Sequence, residues 1–140
     1  MALVDLESIP SVPLDFMNAD HRQEGSLLND LAESVTALRH GTGTARAVTE
    51  RFVALHAHTR DHFAREEAAM ERARFPAYPM HKAEHDRVLA EMAEEGRHFN
   101  ESADAERLWA YVSRSVPAWF VQHIETMDIV TARFVGMSGR

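Results

Sequence analysis

Cysteine is absent from the 140-residue chain. That excludes disulfides, iron–sulfur clusters, thiolate zinc sites and a cysteine nucleophile. Positive charge is scarce: 15 Lys and Arg against 22 Asp and Glu leave a formal net charge of −7 with His neutral. Non-specific binding to nucleic acid or an anionic membrane surface needs clustered cations, so neither is expected as a partner. Long apolar runs are also missing. The longest, such as residues 116–121, fall far short of the ~20 residues that span a bilayer. The first seven residues have neither the basic segment nor the apolar core of a secretory signal, and we expect a cytoplasmic protein. No segment alternates apolar and polar residues long enough to make a strand. What the chain has in excess is histidine, nine residues in a length suited to one domain with one core. Without cysteine, histidine is the obvious candidate for metal ligation.

Residues 1–17 hold Pro10 and Pro13 and show no period, which predicts an extended arm lying on a domain of residues 18–140. From Asn18 the pattern is helical. A first helix is expected from Ala19 to Arg39, capped by Asn18, with Leu28, Leu31, Val35 and Leu38 as its stripe. Gly41 and Gly43 make the turn to a second, which runs from Thr42 or Thr44 to Arg74. Pro76 and Pro79 break it before a third, from Met80 to Phe99. Asn100 to Ser102 reads as a polar turn, and a fourth helix runs from Ala103 to Val135 with a local bend at Pro117. Four long helices with short connections predict an all-α, up-down-up-down antiparallel four-helix bundle with an N-terminal arm.

Positions i and i+4 share a helix face. His62 and Glu66 have that spacing and continue the line of Val48, Phe52 and Leu55. His81 and His85 have it on the third helix, His123 follows Trp119 by one turn on the fourth, and His21 precedes Leu28 by two turns on the first. Any one of these could be an ordinary buried or surface histidine. Five of them and a glutamate converging on one axis would leave several core polar groups unpaired, at about 1–3 kcal/mol each. A metal ion removes that cost, and imidazole with carboxylate suits iron, zinc, copper or manganese. Asp128 follows His123 by five residues, about 140° around a regular helix. Spacing alone leaves it open whether Asp128 is a ligand or a solvated residue.

Four segments carry a family pattern in order: Asn18-Ala19-Asp20-His21; His62-Phe63-Ala64-Arg65-Glu66-Glu67; Tyr78-Pro79 with His81-Lys82-Ala83-Glu84-His85; and Trp119 with His123-Ile124 and Asp128. Over residues 15–135 the chain resembles the hemerythrin family, its stand-alone bacterial members in particular. The resemblance implies two iron ions per chain. His81, His85 and His123 would hold one, and His21 and His62 the other. Glu66 and Asp128, with an oxo or hydroxo group, would bridge them. It implies reversible binding of O2 at an open position of the second iron, for storage, delivery or supply, with a redox partner or an oxygen-using enzyme as a possible associate. The alternative is an enzyme or sensor handling peroxide, nitric oxide or O2 at the same site. Candidate walls of a dry ligand pocket are Phe63, Met70, Trp119, Phe120 and Ile124, all of which also suit plain core packing.

Glu24 and Gly25 stand where family members usually carry bulky apolar residues, and we expect this pair to open a wetter route to the site. His58, one turn before His62, is a candidate hydrogen-bond partner for a ligand, or else an internally paired residue. Glu67 is expected to point off the axis into solvent, and His40, His56 and His98 to lie on the surface. A ferritin-like carboxylate centre needs two Glu-x-x-His pairs, and only Glu95 with His98 fits. The His-Glu-x-x-His pattern of zinc hydrolases is missing.

Overall fold

A computed structural model of the chain describes residues 3–138, so residues 1–2 and 139–140 of the predicted arm and domain lie outside it. Four helical rods form the molecule, and there is no strand among the described residues. Helix α1 is Asp15–Arg39, α2 is Ala45–Ala73 and α3 is Tyr78–Ser102. The fourth rod, α4, is continuous but changes its winding. It runs as α-helix over Ala105–Ala110, π-helix over Tyr111–Ser115, α-helix over Val116–His123, π-helix over Ile124–Asp128 and α-helix over Ile129–Ser138. The connections are so short that sequential helices run antiparallel.

The stops and starts have local causes. Thr44 caps α2 by accepting from the Ala47 N–H at 3.1 Å, and Asp104 caps α4 by accepting from the Arg107 N–H at 3.0 Å. Arg74 and Ala103 end α2 and α3 in the left-handed region, with φ of 55° and 54°. The polar residues Asn100 to Ser102, expected as a turn, therefore continue α3, and the reversal falls at Ala103. Pro79 sits in the first turn of α3, where its missing N–H costs nothing. Pro117 likewise occupies the first turn of an α segment. The turn just before it widens, so that the Val116 N–H reaches the Tyr111 carbonyl.

Helix α1 begins four residues earlier than its sequence signals suggested. Asn18 is not its cap. Its side chain instead accepts from the Val12 N–H at 2.9 Å and donates to the Val12 carbonyl at 2.7 Å, tying the arm to the helix. Asn29 clamps Val4 in the same two-bond way, at 2.8 Å each. The arm thus contributes Val4 and Val12 to the core.

The bundle interior has two halves. One is apolar, built from Leu28, Leu31, Val35, Val48, Phe52, Leu55, Met92, Phe99, Leu108 and Val112. In the other the same stripes continue as buried polar residues.

Candidate metal centre

His21 comes from α1, His62 and Glu66 from α2, His81 and His85 from α3, and His123 and Asp128 from α4. All seven are buried, none more than 5% exposed. The i, i+4 pairs on α2 and α3 aim together as helical geometry requires. Asp128 needs more. The π turn over Ile124–Asp128 bonds the Ile129 N–H to the Ile124 carbonyl, an i→i+5 closure that packs an extra residue into the turn. It swings Asp128 back onto the face of His123, and Asp128 Oδ1 lies 3.1 Å from His123 Nε2.

The two carboxylates each face two ways. Glu66 Oε1 lies 3.3 Å from His85 Nε2 and 3.8 Å from His81 Nε2, and Asp128 Oδ1 lies 3.1 Å from His81 Nε2. Glu66 Oε2 lies 2.8 Å from His62 Nε2 and 3.6 Å from His21 Nε2, and Asp128 Oδ2 lies 2.9 Å from His21 Nε2. Taken together, Glu66 Oε1 and Asp128 Oδ1 face His81, His85 and His123, and Glu66 Oε2 and Asp128 Oδ2 face His21 and His62.

Burial pushes both carboxyls up, and Asp128 adds to this for Glu66. The surrounding histidines outweigh both effects and hold the two acids below the usual carboxylate range. Burial opposes protonation of His62 and His21, but Glu66 and Glu24 push His62 up to about 10, and Asp128 and Glu66 raise His21. His123 is lowered, by burial above all, with His81 and His85 adding to it.

Protein groups alone do not satisfy this cluster. Glu66 Oε1, His85 Nε2 and Asp128 Oδ1 are buried without a hydrogen-bond partner. His81 Nε2 and His123 Nε2 face each other at 3.1 Å, and with both rings protonated at Nδ1 their lone pairs would oppose each other. Inward-facing nitrogen and oxygen lone pairs within 4.8 Å of one another fit a cation.

Groups behind the cluster fix the imidazoles. With Nε2 turned inward, Nδ1–H is left to donate. His81 donates to Thr131 Oγ1 at 2.8 Å, His85 to Glu67 Oε2 at 2.9 Å and His62 to Glu24 Oε1 at 3.3 Å. Glu67 is thus not the solvated residue expected from its spacing, because α3 packs against its side of α2. Thr131 drew no attention in the sequence. Its only signal is that it lies one turn beyond Asp128 on α4.

The expected pocket residues separate. Phe63 stacks on His85 at 3.8 Å between centroids, and Trp119 stacks on His123 at 4.4 Å. Phe120 meets His21 edge-on at 6.0 Å. Met70 and Ile124 are fully buried packing residues. Trp119, Phe120 and Glu24 line a cavity of about 290 Å³. Glu24 is buried and also accepts a 2.5 Å hydrogen bond from Thr59 Oγ1. His58 Nε2 donates to the Asp20 carbonyl at 3.1 Å. Gly25 does not belong to the pocket. A Cβ there would lie 3.0 Å from Leu6, 3.2 Å from Ile9 and 3.3 Å from Val4, so its missing side chain makes room for the arm, not for a water route.

A four-helix bundle with five imidazoles and two carboxylates closing on one point defines a helical-bundle metal-binding protein. The comparisons narrow the class. The model of the hemerythrin HHE cation binding domain matches residues 12–132. The chain therefore belongs to the hemerythrin family. It is 33% identical over 123 residues to a bacteriohemerythrin of Ralstonia nicotianae, covering 87% of this chain and 81% of that protein. A bacteriohemerythrin of Aquifex aeolicus is 29% identical over 121 residues, covering 86% and 88%. A solved single-site mutant of a hemerythrin shares the fold with a TM-score of 0.82 at 22% identity, over 96% of this chain and 98% of that one.

Proposed function

We propose that this chain is a non-haem di-iron protein that binds O2 reversibly. The observation that carries the reading is the division of the two carboxylates. Between them the two acids turn one pair of oxygens, Glu66 Oε1 and Asp128 Oδ1, toward His81, His85 and His123, and the other pair toward His21 and His62. Two ions held in these two groups would share both acids, and the set with two histidines would keep a position free for a small ligand. When bound, two ferrous ions supply the two electrons that O2 takes up and returns. The chain's own task is to orient the imidazoles through Thr131, Glu67 and Glu24, and to exclude water with Phe63, Phe120 and Ile124. No helix among the described residues is long and apolar enough to cross a membrane.

A second reading, turnover of peroxide or nitric oxide at the same ions, is favoured by the cavity that reaches Glu24. One experiment separates the two. Iron per chain is measured, then the reduced protein is cycled between O2 and inert gas while the visible spectrum is followed. Two irons and a spectrum that appears and disappears support carriage. Rapid passage to the diferric form with consumption of added peroxide or nitric oxide supports the enzyme. One iron per chain, or none, overturns both.

A further inference from the structure

The seven cluster residues are nearly closed off from solvent, His123 being the most exposed at 5%, yet an ion has to reach them. The 290 Å³ cavity leads in that direction. Its rim carries the exposed residues Arg87, Glu91 and Ser115, and its inner end carries the buried Glu24 and Thr59. The Glu24 carboxylate is not isolated there. Its Oε1 lies 3.5 Å from His58 Nε2 and 3.3 Å from His62 Nδ1, and the three donors fall within 4.8 Å of one another. The other nitrogen of the same ring, His62 Nε2, lies 2.8 Å from Glu66 in the main cluster. Glu24, the one of these three donors that lines the cavity, is therefore joined to the buried centre through a single imidazole.

We propose that this cavity is the entry route for a divalent metal ion, and that Glu24, His58 and His62 capture the ion before it passes to the centre. The inference rests on the metal-binding reading above. Capture needs no redox step. The ion exchanges water for one carboxylate and two imidazoles as each ring shifts its proton to the other nitrogen, His58 to Nδ1 and His62 to Nε2, where Glu66 accepts it; the His62 proton returns to Nδ1 when the ion passes to the Nε2 side. The acidic chain favours cation entry. Arg87, the one cation on the cavity wall, is paired with Glu84 and with Glu91, so it opposes entry only weakly. A bulky apolar residue at position 24 would supply no donor here.

The test uses metal-free protein and cobalt(II) alone as the probe, with uptake followed by its visible absorption in a stopped-flow instrument. Glu24→Gln keeps the shape and removes the charge, and Ser115→Trp obstructs the exposed rim without touching a cluster residue. Both variants should load about tenfold more slowly than the unmodified chain, within the range that charged clefts contribute to ion capture. Ser115→Trp should still reach the unmodified plateau of two cobalt ions per chain. Loading of Ser115→Trp at the unmodified rate overturns the route, whatever Glu24→Gln does. So does slowing by Gln122→Trp alone, which would move entry to the depression beside His123. If the unmodified protein never takes up two ions, the two-metal reading itself fails, an outcome distinct from a wrong route.

Discussion

At the scale of single residues, the centre depends on groups that never face its interior. The Glu67 carboxylate accepts the Nδ1–H of His85, which sets the tautomer and leaves Nε2 as a lone-pair donor. Replacing it by Ala should weaken metal binding by about 10- to 100-fold, as is usual when such a partner is lost. Competition with a chelator of known affinity measures this, and an unchanged affinity would mean that the stack on Phe63 alone orients the ring. The five histidines and Glu66 could be read from helical spacing because each continues an apolar stripe. Glu67 could not, since its neighbour in sequence already occupies the inward face. Whether the next position meets solvent or another helix depends on where α3 packs.

At the scale of elements, α4 is the unusual helix. Its two wide turns each take in one residue more than an α turn would. The second makes Asp128 a neighbour of His123 at five residues' distance, where an α-helix would put it about 140° away. Thr126 is exposed within that turn. Deleting it should let the turn close as ordinary α-helix, with the aspartate now four residues after His123 and still on its face. Metal content and helicity by circular dichroism should survive. Inserting an alanine after Thr126 should instead rotate the aspartate by about 100° and abolish binding at one or both positions. A deletion variant that loses its metal would show that the wide turn has a role beyond phase.

At the scale of the whole molecule, the arm and the metal each hold the bundle together. The arm lies over Gly25, where a side chain would meet Val4, Leu6 and Ile9 at 3.0–3.3 Å. Gly25→Leu should therefore lift the arm and expose the segment before α1 to limited proteolysis, while metal stoichiometry stays unchanged. A change in ligand binding with the arm still protected would restore Gly25 to the pocket. Metal removal should act more widely. The centre ties all four helices together, and without an ion its buried acceptors lack partners. Ions bound to the folded chain alone, at a free concentration about 100 times their Kd, would add about 2.7 kcal/mol each. The metal-free protein should therefore be less stable by at least that amount and unfold at a lower urea concentration, as a titration followed by circular dichroism would measure.

What the chain alone determined was the set of helices, the face each one buries, and the order of histidines and acids that marks the family. These are legible because helical periodicity is local: about 100° per residue fixes which side chains share a face within one rod. How the rods meet is not local. Packing decided which oxygen of Glu66 and Asp128 faces which histidines, placed Glu67 and Thr131 behind the rings, and laid the arm over Gly25. The winding of α4 brought Asp128 onto the face of His123. Relations between helices, and departures from regular winding, arise only when the whole core closes, so no spacing rule within a single helix contains them.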